Sequence, residues 1–241
     1  MRRLLRVELT RLRLRRAILL LLVVAVAVPA VIFGATAWNT RPLSDADRAD
    51  ALAQVERDKQ DPGMGYAQDL ERCLEKPRQY GVGPNRDVER LCEERTQPQV
   101  EWYLYRDTLS LREQRQTSLI AVIALLTVVM LLIGTTFAGH DWNSGSMSNQ
   151  LLFEPRRLRI WAAKGLAVLL VGLVVSGVVL AAYWTGFWLL AEQRDLDPLT
   201  RVVEAGFGTA GRGALFAGCA GLGGYAATML FRSTVATLGV L

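Results

Sequence analysis

Apolar residues along this chain gather into four long blocks divided by charged stretches. The first, AILLLLVVAVAVPAVIFGATAW over 17–38, carries no charge. As a helix it is roughly 30 Å long, the thickness of a bilayer core. Pro29 falls inside it, where a membrane helix tolerates a kink. The second block, 118–138, is also charge-free. The third, 160–191, is interrupted near its start by Lys164, and the fourth, 206–231, by Arg212. Both charges are expected to snorkel to the interface. Trp38, Trp161, Trp184 and Trp188 fall near block ends and are read as interfacial anchors. A further apolar run, 234–241, is read as the start of a fifth span. The expected fold is all-α: a polytopic membrane protein with four complete spans and a polar outer insert.

Charge sets the expected orientation. Arg2, Arg3, Arg6, Arg11, Arg13, Arg15 and Arg16 precede the first span, against the single acid Glu8. Arg156, Arg157 and Arg159 lie between the second and third spans, and Arg232 follows the fourth. The short segment 192–205 is acidic on balance. By the positive-inside rule, the N-terminus, 139–159 and Arg232 are cytoplasmic, in the cell membrane. Residues 1–16 read as a basic amphipathic helix, with Leu5, Leu9 and Leu12 in the lipid and arginines at phosphate. A plain topogenic leader is the alternative. Membrane lipid is therefore an expected partner. The net charge of +5 shows no basic folded face for nucleic acid.

The insert, 39–117, reads as a small, mostly helical, net acidic unit. Ser44 is a plausible N-cap for a helix over 45–59, ended at Asp61-Pro62-Gly63. A second helix is expected over 66–75, ended by Pro77. Another should start near Pro98 and run through Arg115 into the second span. Cys73 and Cys92 both fall in the insert. In an oxidising compartment they are a disulfide candidate, two free thiols being the alternative.

The 139–159 segment is the most specific part of the chain. It reads GHDWNSGSMSNQLLFEPRRLR, with Lys164 opening the next span. This resembles the cytoplasmic loop of ABC transporter permeases of the type-two export class. That family usually has an acid, then Gly-Thr, a short Leu-Leu helix, Pro, basic residues and a Lys. Asp141 stands for the acid, usually Glu, and Gly145-Ser146 for Gly-Thr. Leu151, Leu152, Pro155, Arg156, Arg157 and Lys164 follow in kind and order. The resemblance implies a separate ABC ATPase subunit and a second permease subunit as partners, and substrate export between the two membrane domains. It implies six spans, so the chain is read as part of a permease, a four-span protein with a short hydrophobic tail being the alternative.

A short helix over 148–153 would dock on the ATPase through Leu151, Leu152 and Phe153. Gly145 would allow the turn into it and Pro155 would stop it. A topogenic loop, with Gly for a turn and arginines for orientation, is the bland alternative.

Catalytic signals are missing. None of Lys59, Lys76 and Lys164 follows a phosphate-loop glycine pattern, so ATP would be bound elsewhere. His140 is the sole histidine, which disfavours a metal cluster or a catalytic triad; no cofactor is expected. Asp141 and Glu154 read as local charge balance. In the fourth span, Ala214 and Gly218, Ala217 and Gly221, and Ala220 and Gly224 are spaced four apart, a pattern for close helix packing. A non-transporting membrane-anchored interaction or sensory protein, working through the insert, is the alternative function.

Overall fold

The computed structural model describes residues 2–83, 87–104, 108–147, 150, 156–196 and 199–240. The described chain is helical and contains no strand. Four helices are long and apolar enough to cross a membrane. The chain divides into two compact units, Asn39–Thr108 and the rest.

The membrane unit begins with α1 (Arg2–Leu14) and α2 (Arg16–Asn39). It continues with α7 (Leu111–Gln116), α8 (Ser118–Asn143), α9 (Arg157–Gln193), α10 (Thr200–Phe231) and α11 (Thr234–Val240). The spans α2, α8, α9 and α10 contain the four apolar blocks, and all but α2 overrun them by more than one residue at an end. α8 continues through Gly139-His140-Asp141-Trp142-Asn143, so His140 and Asp141 are helical rather than loop residues. α9 starts at Arg157 and α10 at Thr200. Polar end turns extend a helix at no hydrocarbon cost, so composition alone underestimates its length.

Glycines set how these helices pack. A side chain at Gly134 would strike the Gly221 carbonyl, and one at Gly213 would meet Ile123. One at Gly139 would meet Thr234. Contacts between α8 and α10 therefore rise together in sequence, and the two helices run parallel. Those between α9 and α10 run in opposite order: Gly172 against Gly218, Gly165 against Tyr225, Trp184 against Gly206. α10 thus lies between α8 and α9. Its Gly218 faces Leu173 of α9, its Gly221 the Met130 carbonyl of α8, and its Gly224 the Leu131 carbonyl. A mid-helix glycine costs about 1 kcal/mol in propensity. Here its absent side chain lets backbones approach, which favours association where no hydrophobic effect operates.

Trp184 corrects the aromatic-anchor expectation. It is fully buried, fills the space over Gly206, and donates its indole N–H to the Val203 carbonyl at 2.9 Å. Trp38, by contrast, is 68% exposed. α2 exposes most of its apolar side chains, Leu20, Val23 and Val31 among them. Such a helix is stable where the solvent is lipid.

The second unit holds α3 (Asp45–Gln60), α4 (Tyr66–Glu75), α5 (Val88–Thr96) and α6 (Val100–Tyr103). Ser44 caps α3 in a reciprocal box with Asp47: each side chain bonds the other's backbone N–H. α4 and α5 are joined by a disulfide between Cys73 and Cys92, with Cα atoms 5.7 Å apart. Around it Val82, Leu70, Tyr80, Val88 and Leu91 form a small core. The continuous helix expected from Pro98 into the second span is not formed. α6 stops after Tyr103, and α7 starts afresh at Leu111, with Ser110 as N-cap. A Ser competes with the helical backbone for its N–H groups and so favours a new start.

Candidate functional site

Four elements meet at one end of the membrane unit. Lys164, in the second turn of α9, is 1% exposed, so it does not snorkel. Its Nζ donates to Glu8 Oε2 of α1 at 2.8 Å and to Asp141 Oδ2 of α8 at 2.5 Å. The other Asp141 oxygen pairs with Arg15, at the junction of α1 and α2. Arg15 also donates to the Phe137 carbonyl at 2.8 Å. The Phe137 ring lies against both cations, its centroid 4.8 Å from the Arg15 guanidinium carbon and 5.3 Å from Lys164 Nζ. Arg11 approaches Glu8 at 3.5 Å from the rim.

The electrostatics explain the arrangement. Asp141 is 2% and Glu8 5% exposed, and a lone buried charge is prohibitively costly. Two carboxylates, one ammonium and one guanidinium cancel, and each carboxylate accepts at least one charge-assisted bond. Such a cluster adds little net stability over a packed apolar core, but removing one member leaves an unpaired buried charge. It fixes which helices meet, and in what register.

The amphipathic face of α1 points accordingly. Leu12 is fully buried and Leu5 and Leu9 are half-buried, while Arg3, Arg6 and Arg13 are exposed. The leucine face is thus turned onto α9 rather than onto lipid, because Glu8 on the same face must reach Lys164. The signal in the sequence is an acid inside a leucine stripe: it demands a buried cation.

The cluster brackets the loop singled out in the sequence. α8 ends beside Asp141. Gly145 then adopts φ +71°, a left-handed turn natural to glycine, and its N–H donates to the Trp142 carbonyl. Ser146 follows, its hydroxyl accepting from the Gln150 side chain at 3.4 Å, and Met147 is buried. Leu151, Leu152, Phe153 and Pro155 lie outside the described residues, as do Ser148 and Glu154. Arg156 and Arg157 are exposed at the start of α9. Arg232, in the left-handed turn between α10 and α11, lies 5.3 Å from the Trp142 ring centroid. Tyr225 of α10 donates to the Trp161 carbonyl at 3.0 Å.

Of the residues that the sequence singles out, Asp141 joins the cluster, with a structural role larger than local charge balance. Gly145 and Ser146 form the exit from α8. Gly218, Gly221 and Gly224 serve packing inside the bundle, and Cys73 and Cys92 belong to the other unit. Glu8 and Arg15, which read along the chain only as part of a basic leader, are additions to the site. No known protein family, curated protein or solved structure matches this chain.

Proposed function

We propose that this chain is the permease subunit of an ABC transporter of the type-two class, exporting substrate with energy from a separate ATPase. Its N-terminus is cytoplasmic, in the plasma membrane, and it pairs with a second permease subunit. The supporting observation is the Glu8–Lys164–Asp141–Arg15 cluster. A loop that transmits force between subunits must spring from a stiff base. Here both helices flanking 144–156 are tied to each other and to α1 by buried charges. A push on the loop then moves α8, α9 and α1 as a block instead of bending one helix.

The test is co-purification from native membranes in mild detergent, scored for an ATP-binding subunit. The wild-type chain should bring one down. Leu151→Glu with Leu152→Glu should lose it while helix content is unchanged. A folded, full-length wild-type sample with no ATPase would sink the proposal. A second reading, a non-transporting sensor, draws on the insert being a compact unit of its own. It would then be favoured.

A further inference from the structure

A recess of about 170 Å³ lies between α1 and the first turns of α9. Leu4 and Val7 of α1 and Ile160 and Ala163 of α9 give it apolar walls. Glu8, Arg11 and Gln150 complete the lining. One water needs about 10–15 Å³, so the space admits a group of several heavy atoms.

Two acceptors line it. Gln150 donates through Nε2 to Ser146, and its Oε1 is buried and has no hydrogen-bond partner among the described residues. A buried acceptor is costly to leave unpaired, so the recess calls for a donor from elsewhere. Glu8 is 5% exposed; its Oε2 accepts from Lys164, while Arg11 comes no nearer than 3.5 Å to its Oε1.

Charge decides what brings the donor. Glu8, Asp141, Lys164 and Arg15 cancel one another, which leaves Arg11 as a cation in excess at the rim. Arg3, Arg6 and Arg13 of α1 are exposed, as are Arg156, Arg157 and Arg159 at the head of α9. An ammonium would add to that surplus. Neutral hydroxyls satisfy the acceptors, and an anion offsets the arginines. The depth is that of a headgroup. The charge-free stretch of α9 begins just after Lys164, and Trp161, the residue after Ile160, is exposed.

We infer that this recess binds a polyol phosphate, with hydroxyls on Gln150 Oε1 and Glu8 and the phosphate at Arg11, and that a phospholipid headgroup supplies it. The inference rests on the membrane fold and the charge cluster, not on transport.

Native mass spectrometry of the full chain in detergent tests it with three lipids. Phosphatidylglycerol carries phosphate and hydroxyls, phosphatidylmethanol the same charge without hydroxyls, and phosphatidylcholine no net charge. The wild type should retain phosphatidylglycerol about tenfold better than phosphatidylmethanol, the worth of one or two hydrogen bonds. It should retain phosphatidylmethanol better than phosphatidylcholine. Gln150→Leu should erase the first difference and keep the second, and Arg11→Gln should narrow the second. Val7→Trp closes the recess from its exposed wall and should also erase the first difference, an independent check should Gln150→Leu disturb the loop. Equal retention of phosphatidylglycerol and phosphatidylmethanol by the folded wild type overturns the proposal. So does a difference that survives both Gln150→Leu and Val7→Trp. Displacement of phosphatidylglycerol by equimolar glycerol 3-phosphate would assign the site to the soluble form of the same chemistry, and its persistence would keep the site with the lipid.

Discussion

The two units solve one problem by opposite means. The insert has a core of a few side chains around Cys73, Val82 and Cys92, too small to hold four short helices by burial alone. It closes a loop covalently, between cysteines 19 residues apart. The membrane unit has a long core and needs no staple. What its glycine contacts leave open is a reason for the N-terminal helix to choose one place on the bundle. It supplies that reason with charges 156 residues apart, Glu8 and Lys164. A disulfide acts on the unfolded chain by limiting its freedom; a buried ion cluster acts on the folded one by penalising every arrangement but its own.

That contrast can be broken from either side. Lys164→Met should have the largest effect. It leaves Glu8 and Asp141 buried with one cation fewer, at a cost of about 3–5 kcal/mol. Thermal unfolding in detergent should show a large fall in Tm, and adding Glu8→Gln should recover much of it. An unchanged Tm in the single variant would remove the cluster's role. Next comes Cys73→Ser with Cys92→Ser. Reopening a loop of this length should destabilise the insert by about 3 kcal/mol. Limited proteolysis should then cut within the insert and spare the spans; cleavage spread over both units would contradict their independence.

The smallest effect concerns Tyr103 of α6, whose hydroxyl donates to the Asp58 carboxylate of α3. That bond, with burial and the nearby negative charge, pushes its pKa up to about 12 from about 10. The folded insert then holds this proton more tightly than the unfolded chain. The contribution is complete below pH 10 and is lost as pH rises toward about 12. Tyr103→Phe should flatten that part of the stability profile. Identical profiles for the two proteins between pH 10 and 12 would show the bond contributes nothing.

The spans were legible because a charge-free run of bilayer length suits a helix solvated by lipid and is too apolar for one solvated by water. Ser44 was legible too, since cap and partner lie three residues apart and the signal is local. Lys164 was not. A cation near a helix end normally reaches water, and here acids on two other helices, Glu8 of α1 and Asp141 of α8, turn it inward. Trp184 failed for the same reason: its place depends on Gly206, in another helix. Local chemistry can be read along a chain, whereas a contact between spans needs both partners and their register. The loop residues Leu151, Leu152 and Phe153 rest on sequence resemblance alone.

The Glu8–Lys164 pair also has a consequence in time. Glu8 leaves the ribosome 156 residues before its counter-charge does. At about 5–20 residues per second, the two are separated by about 8–30 s of synthesis. Throughout that interval α1 has no buried cation to receive it, and its carboxylate has to stay in water. An early helix is thus a late one to settle, and the third span is the event that releases α1 from waiting.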